Sequence, residues 1–548
     1  MNNGGEGCAG ARAHGARVRG ARVHGCAIVL GFFVMAIPVS AQRTGLTGAA
    51  QLARIYDAVF DARFDQVPGL LAQTCALRET QRAATSLSPP PEACQVLELV
   101  SLWWQIQLDP VSPVRDAAFR MRADAAVLAA EAWTTREPER AEAWFYLGGA
   151  YGARVQWRVL RGERIAAARD GKRIKDALER ALAIDPNLRD AYFGIGLYHY
   201  YADVAPAAAK MLRWLLLLPG GDKQAGMREM LRARSQGQLL RSEADYQLHV
   251  LYLWYEKQPQ RALELLQGLV DRHPYNPHFP QLIAEIEDAY LHDVTASLRS
   301  WEQLLASARA RRIAEPEMAE ARARLGMALQ LDRLYETDLA IDHLRAVIEA
   351  SPVAPFAVVA QAHLQLGRAL DRLGRRAEAV TAYRMAIAST PPGDPLKTAA
   401  RARGGLRDTP NSTTARAYRL SIEGWRALER GALADASRAI TQSLALRADD
   451  PVTRYRQARL LLAERHDAAA LDVLDALVSS RSATPPTIYA SACVEAARLH
   501  EQRGSIALAI DLYRRALTVF GADQRTKESA QRALTRLNAS PSTAVRER

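Results

Sequence analysis

Residues 363–391 read HLQLGRALDRLGRRAEAVTAYRMAIASTP, and this stretch decides the fold. Apolar and small residues recur every three or four positions up to Leu373, pause at Gly374, and resume at the same spacing as far as Pro391. Such spacing predicts two amphipathic helices joined by a tight turn at the glycine and ended by the proline. Neither helix could bury its apolar face alone, so we expect neighbours of the same kind.

The same register returns elsewhere in the chain. The stretch WFYLGGAY at 144–151 repeats the first helix, and Gly424 and Ala458, which hold equivalent positions, lie 34 residues apart. A further copy near the C-terminus is carried by Ala497, Gly504, Ala509, Tyr513 and Ala516. A fixed period of this length predicts an array of stacked helical hairpins.

This spacing resembles the tetratricopeptide repeat, whose signature is W-x2-L-G-x2-Y, then A-x3-F, then P. The resemblance implies an all-α protein, a right-handed α-solenoid of helical hairpins. Small residues at the eighth and twentieth positions of each repeat are expected to let its two helices approach closely. A weaker similarity, around residues 192–231, is to eukaryotic repeat proteins linked to inclusion-body and lipid-droplet clearance, and we transfer no function through it.

The pattern along the chain divides it into eight segments. We predict a signal peptide at 1–41, an N-terminal helical cap region at 50–135, repeats at 136–275 with an apolar insert near 203–222, repeats at 276–395, a linker or hinge at 396–414 around a short helix at 395–403, C-terminal repeats at 415–522, a capping helix at 523–537 and a disordered tail at 538–548.

The N-terminus predicts export. A basic lead precedes an apolar run from Cys26 to Ile37, and small residues up to Ala41 form a cleavage pattern. The run is shorter than the roughly 20 residues that span a bilayer. We therefore expect cleavage after Ala41 and an exported protein of bacterial type, located in the periplasm.

Export bears on the cysteines, since an oxidising compartment permits disulfides. Cys75 and Cys94 flank a proline-rich loop between two helical stretches. They either meet in a disulfide bond across a helical hairpin or are two unpaired core residues, and the sequence leaves both alternatives open. Cys493 falls on a helix face and is expected in the core.

Composition excludes several classes of protein. With 49% hydrophobic and 24% charged residues the chain is neither disordered nor a polytopic membrane protein. The net charge of +12 is spread among acidic residues along the whole chain. This favours a solvated, arginine-rich surface over nucleic-acid binding.

Catalytic signatures are missing from the sequence. It contains no H-E-x-x-H, G-x-S-x-G, phosphate loop or paired C-x-x-C motif. His199, His249, His273 and His278 do not share the i, i+4 spacing of a helical metal pair. We therefore expect a protein that is not an enzyme and has no metal or cofactor.

Recognition is expected on the first helices of the hairpins, which in tetratricopeptide repeats line the concave face. The candidate partner-binding residues are Arg368, Asp371, Arg372, Trp425, Tyr455, Arg459, Arg498, Glu501 and Gln502. The planar guanidinium group of arginine holds a carboxylate with two hydrogen bonds, and tryptophan suits an apolar anchor. The prediction is a scaffold that binds a protein or peptide of acidic character, and the alternative is an ordinary arginine-rich surface.

A second hypothesis concerns the aromatic region 133–214. On this alternative the protein is an envelope-associated helper that contacts lipid, at the membrane surface, or an envelope polymer. The apolar insert near 203–222 is either a buried second helix or an exposed groove, and its apolar core is too short to span a bilayer.

Overall fold

A computed structural model of the chain describes residues 45–75, 88–205 and 220–539. The predicted signal peptide lies outside the described residues, as do residues 206–219 of the apolar insert and residues 540–548 of the predicted tail. Every regular element within the described ranges is helical, and none is a strand. No helix among them is long and apolar enough to cross a membrane.

Twenty-four α-helices follow one another in the described residues. Those of the first part are α1 Ala49–Phe60, α2 Val67–Cys75, α3 Pro91–Leu108, α4 Asp116–Arg136, α5 Ala141–Leu160, α6 Arg164–Ile184, α7 Ala191–Val204, α8 Lys223–Gln236, α9 Arg241–Val250, α10 Pro259–Arg272, α11 His278–Ala289 and α12 Val294–Arg309. Those of the second part are α13 Pro316–Arg333, α14 Thr337–Ala350, α15 Val358–Arg372, α16 Arg376–Ala388, α17 Thr398–Arg407, α18 Ser412–Glu429, α19 Leu433–Leu446, α20 Pro451–Ala463, α21 Asp467–Ser479, α22 Pro486–Gln502, α23 Ile506–Leu517 and α24 Gln524–Ala539. A π-helical turn, Leu251–Tyr255, continues α9.

The hairpin α15–α16 shows why the sequence folds in this way. Gly374 adopts a positive φ of 75°, which glycine tolerates without strain, and so ends α15. Gly367 faces Tyr383 so closely that a Cβ atom would lie 2.5 Å from the ring. Gly148 and Gly424 approach Leu178 and Ile440 in the same manner. Small residues at the eighth position therefore set the distance between paired helices.

The hairpins stack in chain order. Each helix except α17, which packs on α15 and α16, contacts the next. First helices also contact first helices: α13 contacts α15, α15 contacts α18, and α18, α20, α22 and α24 continue the row. The first helices therefore share one face of the array. The predicted all-α solenoid of helical hairpins is confirmed, while its right hand stays a prediction.

The segment predicted as a linker or hinge, 396–414, contains the packed helix α17. Its Thr398 and Ala402 are buried, and Arg376 of α16 donates hydrogen bonds to the carbonyl oxygens of Gly405, at 2.9 Å, and Leu406, at 2.8 Å. Prolines stand on both sides of this helix, while Gly404 and Gly405 lie within it. The segment thus contains a short helix, as expected, and this helix packs within the array.

The N-terminal helices reach the face that the first helices share. Helix α3 packs against α5, and its Trp104 ring lies 4.8 Å from Tyr246 of α9 and 6.0 Å from Phe279 of α11. At its end, the Leu108 carbonyl accepts a hydrogen bond of 2.7 Å from Arg322 of α13. One helix therefore touches four first helices. It covers their common face.

Helix α1 adds to this cover. Phe60 is fully buried, with its ring 4.3 Å from Trp104, and its carbonyl accepts a 2.7 Å hydrogen bond from the Asn276 side chain. The Tyr56 hydroxyl donates to the buried carboxylate of Glu243 at 2.9 Å, and Trp104 Nε1 donates to the same oxygen at 3.2 Å. These contacts pack α1 and α3, two helices of the region predicted as a cap, against the interior of the array.

Cys75 of α2 and Cys94 of α3 are joined in a disulfide bond, with their Cα atoms 6.3 Å apart. Of the two alternatives that the sequence left open, the structure has the bridge. It ties α2 to the helix that covers the shared face. Cys493 is a free thiol buried in α22.

Candidate functional site

The face that remains accessible belongs to α15, α18, α20 and α22. Arg368, Arg459 and Arg498 are exposed there, one on each of three of these helices, and Trp425 and Tyr455 are half-buried. The repeat spacing places the three arginines and Trp425 at the same position of successive first helices. We call the surface formed by these five residues the C-terminal face.

Most of the arginines on this face already hold a carboxylate of their own chain. Arg498 Nη1 lies 3.1 Å from Glu495 Oε1, and Arg459 Nη1 lies 3.8 Å from the same oxygen. Arg498 also donates to Ser529 Oγ of α24 at 2.9 Å. Burial raises the pKa of the Tyr455 hydroxyl, while a hydrogen bond with Arg459 opposes that shift. Glu495 therefore links α20 to α22.

At the end of the face, Glu501 accepts hydrogen bonds from two neighbours. Arg536 Nη2 of α24 lies 2.6 Å from its Oε1, and the Tyr513 hydroxyl lies 3.2 Å from its Oε2. Gln502 is exposed beside it. These two residues border the face instead of lying at its centre.

A second group surrounds Trp425. Arg372 Nη2 lies 3.1 Å from Asp332 Oδ2, and the guanidinium carbon of Arg372 is 6.0 Å from the Tyr418 ring. The buried Arg456 lies over the Trp425 ring at 5.8 Å. The indole nitrogen of Trp425 is buried and has no hydrogen-bond partner among the described residues. The Trp425 ring is therefore an apolar surface whose N–H group has no acceptor among the described residues.

Sequence reasoning missed two residues of this face, Arg456 and Glu495. Arg456 donates to Ser421 Oγ at 2.9 Å and to the Tyr335 carbonyl at 2.8 Å, and burial lowers its pKa. Arg456 belongs to α20, but its side chain is buried between neighbouring helices, so the repeat positions that face a partner do not include it. Glu495 would have been found only by pairing each arginine with acids one repeat away.

Asp371, one of the partner-binding candidates, lies in the interior and not on the face. Its carboxylate is buried, accepts a hydrogen bond of 3.0 Å from the Tyr383 hydroxyl, and lies 2.8 Å from Arg376 Nη1. Burial, with this carboxylate close by, raises the pKa of the Tyr383 hydroxyl. Asp371 holds α15 to α16, because the tyrosine that fills the space beside Gly367 needs an acceptor.

Arg368 differs from the other arginines of the face. Its side chain donates only to Gln365 Oε1, at 3.4 Å, and no carboxylate pairs with it in the part of the chain that the structure describes. The arginines of the expected carboxylate-binding ladder lie in a row. Of these arginines, within those same ranges, only Arg368 has no carboxylate of its own chain as a partner. A partner carboxylate would have to compete with Glu495 or Asp332 for the others.

Two clefts lie away from this face. One, of about 490 Å³, is lined by Leu253, Trp254, Lys257, Pro259 and Tyr290, and Trp254 is 60% exposed. The other, of about 790 Å³, lies between α1 and the start of α9, and its walls include Arg54 and Asp57 of α1, Arg241 of α9 and Arg272 of α10. Within the described ranges, no three histidine, cysteine or acidic side chains lie together as a metal site would need.

The aromatic region 133–214 is largely buried in its described part, and its partly exposed rings are those of Trp144, Tyr192, Phe193, Tyr198 and Tyr201. Trp133, Tyr146, Trp157 and Tyr200 are all less than 5% exposed, and Trp133 stacks on Tyr146 with their rings 6.1 Å apart. Aromatic side chains at these positions fill the interior because the first helices of the repeats need large residues between them.

Comparison with known proteins bears on the class of the chain. A model of the tetratricopeptide repeat matches residues 360–392, which are the hairpin α15–α16. A search of curated proteins finds no match to the chain.

Solved structures of helical-repeat proteins are similar to the chain at low identity. A Rap protein complexed with competence and sporulation factor is 15% identical and covers 88% of this chain and 99% of its own, with a TM-score of 0.32. The TPR domain of P58(IPK) is 13% identical and covers 70% and 98%, with a TM-score of 0.21. The Cut9-Hcn1 hetero-tetramer is 13% identical and covers 87% and 81%, with a TM-score of 0.24. At these TM-scores the likenesses carry no argument about this chain.

The stacked hairpins define an α-solenoid. The family match at 360–392 confirms the predicted tetratricopeptide repeat in that hairpin, and helical hairpins recur through the array. Solenoids of this class present extended surfaces to other proteins, so the fold indicates a protein-interaction scaffold.

Proposed function

We propose that the protein binds a segment of a partner protein along the C-terminal face, in the concave groove of the solenoid. The observation that carries this proposal is that one part of the face shared by the first helices is covered and another is open. Helix α3 lies across α5, α9, α11 and α13. On the C-terminal face, by contrast, Arg368, Arg459 and Arg498 are exposed. Of these two surfaces, only the second offers side chains to a partner.

The chemistry of the face favours a peptide with both apolar and acidic groups. Trp425 and Tyr455 present half-buried rings on neighbouring helices, and such aromatic anchors account for much of the binding energy at interfaces. Arg368 is free to hold a carboxylate, and Arg459 and Arg498 could exchange Glu495 for one. An extended or helical segment would then lie across α15 to α22.

The proposed location is the periplasm. The basic lead and apolar run before Ala41 support export, and the Cys75–Cys94 disulfide bond is compatible with an oxidising compartment. The alternative of an envelope helper acting through residues 133–214 gains no support, because the aromatic rings described there lie mostly in the core.

The test is capture of partners from an envelope extract by two matched triple variants. Replacing Arg368, Arg459 and Arg498 with alanine should abolish capture. Replacing Arg384, Arg438 and Arg514, which are exposed on the second helices α16, α19 and α23, should leave it intact. Equal loss in both variants, or capture unaffected by the first, would contradict the proposal.

A further inference from the structure

Helix α4 and the turn before it carry an apolar stripe that nothing in the described chain covers. Val114 is 75% exposed, Met121 65% and Leu128 69%. Between and after them lie the exposed small residues Ala118, Ala125 and Ala132. The spacing of four and three residues is that of a helix-packing seam. We call these six residues the α4 seam.

The seam is separate from the interior of the protein. The opposite side of α4 carries Phe119, Ala123 and Trp133, which are buried against α3 and α5. Because that side alone holds α4 in the array, the seam contributes nothing to the fold of a single chain. Contiguous exposed apolar stripes of this kind mark interaction surfaces.

Four charged residues beside the seam have partners in their own chain, and one of them, Glu131, accepts a hydrogen bond from the Tyr151 hydroxyl. Arg122 pairs with Glu98 of α3 at 2.9 Å, and Asp124 pairs with Arg154 of α5 at 3.0 Å. Further along, Arg136 pairs with Glu92 at 2.8 Å. These pairs leave no row of like charge beside the stripe in the described chain, so neither an anionic surface nor a strongly charged peptide is favoured there.

From the order of large and small residues, we infer that the partner is a second copy of the same chain, with the two α4 helices antiparallel. If a two-fold axis passes at the level of Ala123, Met121 lies opposite Ala125 of the second copy and Leu128 opposite Ala118. Each layer then joins one large and one small side chain, so the two seams fit without gaps. A parallel pair would place Ala on Ala and Met on Met.

Apolar residues beside the start of α4 widen the surface. Val159 is 62% exposed and Ile165 58%, at the turn between α5 and α6. Arg161 in that turn donates to the carbonyl oxygen of Pro110, at 2.8 Å, and pairs with Asp116 at 2.8 Å, so the turn is fixed beside α4. A two-fold interface uses each patch twice and would bury both turns.

The first test is the mass of the full chain by sedimentation velocity. The unmodified protein should be a dimer, and Met121→Glu combined with Leu128→Glu should raise the dimer dissociation constant at least about 100-fold, because two charges would be buried on each copy. Val353→Glu with Met385→Glu changes exposed apolar residues elsewhere and should leave the dimer intact. Circular dichroism checks that both variants keep their helices.

A second test reads the orientation. Ala118→Cys and Leu128→Cys chains, mixed and oxidised, should form a disulfide between the two variants and none within either alone, since like positions would lie roughly 15 Å apart at 1.5 Å per residue. Disulfides within each single variant would overturn the antiparallel pairing. A monomeric unmodified chain, or one that instead sediments with lipid vesicles through the seam, would overturn the proposal.

Discussion

The N-terminal part of the array (residues 45–309) and its C-terminal part (residues 358–539) are built from the same hairpin but differ in what covers the face of their first helices. In the former, Trp104 and Phe60 close the face with rings packed on α9 and α11. In the latter, exposed arginines and the half-buried Trp425 and Tyr455 form that face. One repeat architecture thus includes both a covered face and an open one.

The largest expected effect comes from Trp104→Ala. The side chain is fully buried between aromatic rings, so its loss should lower the free energy of unfolding by about 3–5 kcal/mol. Trp425→Ala, on the open face, should cost less than about 1 kcal/mol. Urea unfolding followed by circular dichroism measures both, and equal costs would erase the distinction between the two regions.

A smaller effect is expected from Gly367→Val. A Cβ atom would lie 2.5 Å from the Tyr383 ring, and such crowding costs about 1–3 kcal/mol. Gly404→Ala is the matched control, because a Cβ atom on that helical glycine meets nothing within 4 Å. The control should leave the urea midpoint unchanged or raise it. Equal destabilisation would show that helix approach is not set at the eighth position.

The covered face should also respond to acid. Burial lowers the pKa of His249 and His273 to about 4 and that of His278 to about 3. The unfolded chain, with histidine pKa values near 6.5, therefore takes up protons first as the pH falls. The stability that these neutral histidines contribute is complete above about pH 6.5 and is lost below it. We expect a loss of about 2 kcal/mol for each of these histidines between pH 7 and pH 5.

Glu243 opposes this trend, because burial raises its pKa and the folded chain then takes up this proton at a higher pH than the unfolded chain does. Glu243→Gln removes the opposing group and should steepen the loss of stability as the pH falls. Urea unfolding at a series of pH values tests both statements. A flat profile in the variant would contradict the assignment of neutral histidines.

The smallest change in stability is expected from Glu495→Gln on the open face. Exposed ion pairs contribute roughly 0–1 kcal/mol, so unfolding should change little. Arg459 and Arg498 would be freed, and a fluorescent hexaglutamate peptide should bind several-fold more tightly, as measured by anisotropy. Unchanged binding would show that these arginines do not meet an acidic partner.

The repeat spacing predicted the hairpins because their determinants are local. Gly367, Gly374 and Tyr383 lie within one hairpin, where residues close in sequence are also close in space. The row of Arg368, Arg459 and Arg498 followed from the same register. The register could not show which side chains these residues contact. Asp371 turns inward because it accepts a hydrogen bond from Tyr383 and pairs with Arg376, and Glu495 pairs with Arg459 and Arg498.

The packing of α1 and α3 over the first helices of the N-terminal part could not be predicted. The hydrogen bond from Tyr56 to Glu243 joins residues 187 positions apart, and no periodicity relates them. For 396–414 the composition indicated a hinge around a short helix but not that this helix, α17, packs within the array, because glycine and proline occur equally in a loop and around a short packed helix.

Hydrogen–deuterium exchange of the full chain tests the central contrast most directly. If α3 fills the face shared by α5, α9, α11 and α13, its amides should exchange only with global unfolding, at the slow rate of α9. Exchange of α3 within minutes, at the rate of fraying ends and while α9 stays protected, would mean that the N-terminal face is open too, and would contradict the contrast between a covered and an open half.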